Sequence, residues 1–353
     1  MRLNNLILCV LVPCLLLSLC RIPVAYSAEF RDYNTFMTSF KSLAVTYPQY
    51  VSYETIGKTV ENRDIIMFKI GNPNGGRVMF DGAIHGMENL GSELLYLYAT
   101  WLLASPDPLA TRILSRDYTL LVPAVNVDEY DYGRKNAHGV DLNRNFATSW
   151  QYAGSSDPNS DYYRGPSPVS EPESQAIVRV FQTWKPSAYI NLHRGGEILY
   201  GNSYGNTTYT SEIYARMDAL ADQRIVNRYA HQNIGAAGYA MSDATMAGAA
   251  GFLLELIDWQ ILTLPEIETR ILPRFITIAA VLSQECESTT SFPNYDVDQN
   301  GQVNMFDIAV VARAFCTTPG SPYWNPQADL NKDAIVDMHD IGLVARHFGE
   351  VFT

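Results

Sequence analysis

From Tyr33 to about Glu285 the chain alternates two kinds of apolar pattern. Short apolar runs, VSYETIG, IIMFKIG, RVMFDGAI, TLLVPAVN, SAYINLH and GFLLELI, predict strands. Asn34 to Thr46, Ser92 to Leu103, Glu171 to Thr183 and Thr210 to Asn227 carry the spacing of helices. Such alternation predicts an α/β domain with a largely parallel or mixed sheet. ESTTSFPN, between Cys286 and Tyr295, is polar and proline-closed, the composition of a linker. Beyond it DVDQNGQVNMFDIAVVARAF, from Asp296, and DLNKDAIVDMHDIGLVARHF, from Asp329, share an acidic opening and a helical ending. Two copies predict a small all-α module of two repeats.

The N-terminus follows another logic. Arg2, the apolar run LILCVLVPCLLLSLC and then Ala25-Tyr26-Ser27-Ala28 give the basic start, apolar core and small-residue end of a secretory signal, cut after Ser27. A lipoprotein signal on Cys20 and an uncleaved anchor helix compete with it; Leu19 is bulky for the first, and the run is short for the second. Removal takes Cys9, Cys14 and Cys20 with it, leaving Cys286 and Cys316 either paired in an oxidising location or as two isolated thiols. The expected organisation is a signal peptide at 1–27, a large α/β domain at 28–285, a linker at 286–293 and a two-repeat module at 294–353, with no membrane span once the signal is removed.

Composition adds two limits. A length of 353 residues with 47% hydrophobic content suits one large globular domain plus a smaller one. The net charge of −12, with no offsetting Lys/Arg cluster, argues against nucleic acid as a partner.

In DGAIHGMENLGSELL, His85 and Glu88 fall on a turn between a predicted strand and a predicted helix. His193 ends the strand SAYINLH. Two His and one Glu form an established catalytic zinc set that leaves a position for water, whose pKa the metal lowers to about 7. His138, His231, His339 and His347 sit in loop, helix-end or C-terminal contexts that fit less well. In the C-terminal repeats the first loop offers Asp296, Asp298, Asn300, Asn304 and Asp307, with the Gln302 carbonyl at position 7 and Gly301 at the sharp turn. The second offers Asp329, Asn331, Asp333, Asp337 and Asp340, with the Ile335 carbonyl, but Ala334 replaces the turn glycine. Twelve-residue oxygen loops of this spacing suit calcium, and an alanine at positive φ is costlier than glycine, which predicts a weaker or distorted second site.

FDGAIHGMENLGSELL, PAVNVDEYDYGRKNAHGVDLNRNF, RGPSPVSEPESQAI, INLHRGG and GFLLELID occur in this order. Together they resemble the zinc metallocarboxypeptidases of the carboxypeptidase A type. The resemblance implies a mixed eight-stranded sheet flanked by helices with the active site at strand ends. It also implies His85, Glu88 and His193 as ligands of one zinc ion, Glu255 as general base, and Arg134 as the donor that polarises the scissile carbonyl. Asn143 and Arg144 match the pair that grips the terminal carboxylate of a peptide or protein substrate, Tyr239 the tyrosine that closes over it, and Ser242 lies near the side-chain selector. Met87 stands where many digestive members carry Arg, so H-G-M-E looks more like the regulatory subfamily, and Arg194 stands where Ser is common. The mature chain enters the first helix almost at once, at DYNTFMTSF, so activity without proteolytic activation is expected.

The C-terminal repeats, with Asp at position 12 and one helix after each loop, resemble dockerin modules. This implies two structural calcium ions and a cohesin-like partner, met through Met305, Phe306, Met338 and His339; a calcium-stapled appendage is the alternative. The leading expectation is a secreted zinc carboxypeptidase, docked to a cell-surface or extracellular complex. A zinc amidase or deacylase acting on cell-wall peptides or N-acyl amino acids, and a non-catalytic binding protein of the same fold, are the alternatives.

Overall fold

A computed structural model describes residues 30–205, 207–258, 262–290, 295, 297, 303–321, 323–330 and 334–350, with the backbone alone at 207–209 and 284–290. The predicted signal segment and its three cysteines lie outside the described residues. So does the Cys286 side chain, while Cys316 is free and exposed.

The chain opens with α1 (Tyr33–Thr46), whose first turn is capped by the Asp32 carboxylate accepting from the Asn34 and Thr35 amides. An antiparallel pair follows, β1 (Val51–Lys58) and β2 (Asp64–Gly71), then β3 (Gly76–Asp81), α2 (Leu90–Ala104), α3 (Pro108–Arg116) and β4 (Asp117–Val122). Next come α4 (Pro172–Trp184), β5 (Ala188–His193), β6 (Ile198–Asn202), α5 (Thr207–Arg224), β7 (Ala230–Ile234), α6 (Ala240–Met246) and β8 (Ala250–Glu255). A short α7 (Leu264–Glu266) passes through a π turn at Ile267–Ile271 into α8 (Leu272–Thr290). Helix therefore occupies residues 286–290 of the segment whose composition reads as linker.

The eight strands form one mixed sheet in the order β1-β2-β4-β3-β5-β8-β6-β7. Its centre, β4-β3-β5-β8, is parallel. Every residue of β4 and of β5 is buried, which is why these strands read as continuous apolar runs in the sequence. Alternate residues feed two cores: Phe68, Phe80, Ile190 and Leu254 enter one, and Met67, Met79, Tyr189 and Leu253 the other. In the first core Phe275 of α8 meets Phe80 and Tyr98 edge to face, each at 5.1 Å, and a fully buried Phe contributes roughly 2–3 kcal/mol.

Four differences from the sequence pattern have physical causes. RVMFDGAI and TLLVPAVN stop being strand at Asp81 and Val122, because Gly82–Ile84 and Pro123–Asn126 turn across each other at the sheet end. β6 and β7 have no counterpart among the predicted strands: β6 is a five-residue strand holding Gly201, and β7 (AHQNI) is polar and lies at the sheet edge. α3 and α6 are short, at nine and seven residues, and carry too few periodic positions to stand out. α5 ends at Arg224, not Asn227, since Ile225 adopts a left-handed φ of 55°.

In the C-terminal module α9 (Met305–Arg313) and α10 (Met338–Arg346) pack through Val311 and Val344 with Val297, Val303, Ala328 and Val336. Among the described residues no helix is long and apolar enough to cross a membrane.

Candidate active site

After β3 the chain must turn sharply into α2. Ala83 takes a left-handed φ of 47°, and a Cβ at Gly86 would meet the Glu129 carbonyl oxygen at 1.9 Å, so that position admits only glycine. The Glu88 amide donates to the His85 carbonyl at 2.9 Å, closing a turn that faces both side chains the same way. His193 arrives from the end of β5. The ligand atoms of His85, Glu88 and His193 lie within 4.8 Å of one another, all buried, and among the described residues this is the only such group of three or more metal-ligating side chains.

His85 Nδ1 lies 2.9 Å from Glu88 Oε1, and His193 Nδ1 lies 2.8 Å from Glu88 Oε2. Burial alone would push the Glu88 carboxyl up, but the two imidazoles hold it well below the usual carboxylate range. The outer ring nitrogens meet side-chain oxygens: His85 Nε2 is 3.0 Å from Asp141 Oδ1, and His193 Nε2 contacts Asn191 Oδ1. A proton on each Nε2 then leaves Nδ1 bare and facing inward, as a metal-binding imidazole requires. Two imidazole nitrogens and a carboxylate so oriented fit zinc.

Around this cluster the structure brings together most of the residues singled out in the sequence. Glu255, at the end of β8, is the register partner of His193. Its Oε2 is buried with no hydrogen-bond partner, and burial, partly offset by His193, pushes its carboxyl up. Arg134 grips Asp141 Oδ2 through Nε at 3.0 Å and Nη2 at 2.7 Å. Arg144 donates to the Asn143 carbonyl at 2.8 Å and lies 4.3 Å from the Tyr239 ring centre. Asn143 is buried, its Oδ1 accepting from the Ala240 amide and its Nδ2 lying 3.0 Å from His193 Nε2. Ser242 is fully buried in α6, and its hydroxyl donates to the Ala236 carbonyl at 2.6 Å.

Three residues escape the sequence reading. Asp141 and Asn191 each stand two positions before a predicted site residue, inside motifs already quoted, yet only the folded register shows them backing the histidines. Tyr162 comes from a separate loop and places one ring 5.0 Å from the Arg134 guanidinium and 5.6 Å from that of Arg144.

In the C-terminal module Asp296, Asp298, Asn300, Gln302, Asn331 and Asp333 lie outside the described residues. Asp307 and Asp340 are buried at the first turns of α9 and α10, where each accepts from the backbone amide of its N-cap residue, Asn304 or Asp337, at 2.8 Å. Ala334 has the expected positive φ, 66°, and its amide donates to Asp329 Oδ2 at 3.0 Å. The Ile335 side chain points to solvent, as suits a position that offers its carbonyl. Met305, Phe306, Met338 and His339 are exposed.

A His-Glu-His cluster at the carboxyl ends of parallel strands, flanked by a half-buried glutamate and two arginines, matches the kind of donor set that zinc hydrolases use. The chain belongs to the zinc carboxypeptidase family, whose model matches residues 37–263, and a dockerin type I domain model matches residues 294–349. Among curated proteins it is 30% identical over 198 residues to mast cell carboxypeptidase A of Rattus norvegicus, covering 49% of this chain and 47% of that one. The chain thus spans about half the length of the curated relatives it matches. Carboxypeptidase A from Helicoverpa armigera shares the fold at a TM-score of 0.64 and 22% identity, with 75% of each chain covered. Bovine thrombin-activatable fibrinolysis inhibitor does so at 0.66 and 22%, over 75% of this chain and 100% of that chain.

Proposed function

We propose that the protein is an exported zinc-dependent carboxypeptidase that hydrolyses the C-terminal peptide bond of peptides or proteins. The observation that carries this reading is the convergence of His85, Glu88 and His193 beside Glu255, whose carboxylate oxygen is buried without a partner. The three ligands would hold one zinc ion, which when bound supplies Lewis acidity towards water and the scissile carbonyl.

The remaining work falls to this chain's own side chains. Glu255 takes the proton of the attacking water and delivers it to the leaving amine, and its raised pKa brings it nearer neutrality, where such transfer is efficient. Arg134, fixed by two bonds to Asp141, donates to the carbonyl oxygen as negative charge develops there. Arg144 has the faces of Tyr162 and Tyr239 beside it, and aromatic contact of that kind leaves the in-plane N–H groups for a carboxylate. Asn143, whose oxygen is held by the Ala240 amide, would assist it by turning its NH₂ from His193 to the carboxylate, and Tyr239 closes over the bound residue. Ser242, with its hydroxyl committed to the backbone, would contribute shape to the side-chain pocket.

The catalytic unit at 28–285 is joined through 286–293 to a module at 294–353 that holds two calcium ions and docks a cohesin-like protein through Met305, Phe306, Met338 and His339. Loss of the 1–27 segment accompanies export, and the docked enzyme works at a cell-surface or extracellular complex.

The test is release of C-terminal amino acids from a mixed peptide library by the mature chain, with zinc and after its removal. Zinc-dependent release is expected and gives the side-chain preference directly. One bound zinc without release would favour an amidase or deacylase, and no bound zinc a binding protein.

A further inference from the structure

β5 carries an uncommon run of polar side chains on one face. Strand alternation puts Tyr189, Asn191 and His193 on the same side of the sheet, and Asp81 at the end of β3 is the register partner of Asn191. All four are buried: Asp81, Tyr189 and Asn191 are each 0% exposed and His193 3%. Asp81 Oδ1 accepts from Asn191 Nδ2 at 2.6 Å and Oδ2 from the Tyr189 hydroxyl at 2.6 Å, while Asn191 Oδ1 contacts His193 Nε2. Among the described residues Asp81 accepts from these two neutral donors and forms no ion pair, so the fold keeps a carboxyl in its interior on neutral hydrogen bonds. Burying a charge without a paired cation costs free energy, even where hydrogen bonds offset part of it.

We propose that Asp81 is a positioning residue for the metal centre, acting through Asn191 to set the tautomer of His193; this rests on the zinc reading above. Once ionised, the Asp81 carboxylate only accepts, so the Asn191 amide turns its NH₂ towards Asp81 and its oxygen towards His193. That oxygen holds the proton on Nε2 and leaves Nδ1 unprotonated for the metal. The choice is otherwise contested. Asn143, fixed by the Ala240 amide, presents its own NH₂ to the same Nε2 at 3.0 Å and would favour the opposite tautomer. Asp81 decides between the two amides. The Tyr189 hydroxyl occupies the other carboxylate oxygen and keeps Asp81 aimed at Asn191.

The test compares the full chain with Asp81→Asn, Tyr189→Phe and the exchange Asp81→Asn/Asn191→Asp. Zinc affinity is measured by competition with a chromophoric chelator, and the imidazole tautomer by ¹⁵N NMR in the zinc-free protein. Asp81→Asn frees the Asn191 amide to flip, and zinc should bind about 10- to 100-fold more weakly, as for other outer-shell partners. Tyr189→Phe should act in the same direction by a smaller factor. The exchange restores an acceptor-only group facing His193, with an amide behind it, and should recover the affinity and the Nε2–H signal. A merely structural Asp81 would lower the melting temperature without moving the tautomer, and the exchange would not rescue zinc. Unchanged affinity in Asp81→Asn, or an exchange that recovers nothing, overturns the proposal. Failure of the unmodified chain to bind zinc overturns the metal reading itself, a separate result read in the same titration.

Discussion

His193 and Glu255 are register partners at the carboxyl ends of neighbouring parallel strands, so a candidate metal ligand and a candidate base emerge side by side from the sheet. The sheet fixes both, which makes their separation insensitive to loop motion. Glu255→Gln keeps the size of the side chain and removes its basicity. Zinc content should stay at the unmodified level, and turnover should fall by about 10²–10⁴-fold, the usual contribution of a positioned base. Metal analysis alongside steady-state kinetics checks both halves, and retained turnover would remove Glu255 from the chemistry.

The central strands and the candidate ligands they carry were legible in the sequence for a specific reason. β3, β4, β5 and β8 lie in the middle of the sheet, so their apolar runs are continuous, and His193 and Glu255 stand at the ends of two of them. β7 was not legible because an edge strand needs no such run. Asp141 and Asn191 stayed hidden for another reason: a hydrogen bond across 56 residues, or the pairing of residue 81 with 191, depends on register and not on local pattern. Tyr162 likewise acquires meaning only when its loop is pinned by the bonds from Ser155 N to Tyr162 O and from Asp141 N to Tyr163 O, both at 2.8 Å.

Asp81 carries a stability cost with a defined sign. Burial pushes its carboxyl up to about 7, against the bonds from Tyr189 and Asn191 that favour the charge. Because the folded value lies above the unfolded value of about 3.9, the stabilising contribution is complete below about pH 4 and is lost as pH rises through 7. Asn at this position cannot ionise. In the zinc-free protein the melting temperature of Asp81→Asn should therefore gain on that of the unmodified chain between pH 4 and pH 7, by the equivalent of up to a few kcal/mol. A thermal series across that range checks it; parallel curves would show that Asp81 does not titrate there.

Arg144 tests substrate recognition apart from the metal. Tyr239 and Tyr162 flank its guanidinium, and a lysine ammonium would keep the charge but lose the planar fork and the stacking. Charge-assisted hydrogen bonds are worth about 1.5–3 kcal/mol, so Arg144→Lys should raise KM for peptides with a free C-terminus by roughly 10- to 100-fold. C-terminally amidated peptides offer no such anion, and discrimination between acid and amide should shrink by the same factor. Equal losses on both substrates would point to a general disturbance of the site.

In the second candidate calcium loop Ala334 holds a φ of 66°. A left-handed conformation costs an L-residue roughly 1–2 kcal/mol, a penalty that glycine escapes while losing more entropy on folding. The strain also sits at a working position, since the Ala334 amide donates to Asp329 Oδ2, and Asp329 opens the loop. Asp340, at its far end, meanwhile accepts from both the Leu330 and Asp337 amides, at 2.7 and 2.8 Å, so loop and helix are tied to one carboxylate. Relief at 334 should pass to the whole ligand set. In the full chain Ala334→Gly should strengthen the weaker of two calcium affinities by about fivefold, the equivalent of about 1 kcal/mol, and leave the other unchanged. Calorimetric titration resolves the two sites. A gain at both, or at neither, would place the weakness of the second loop elsewhere than in its backbone.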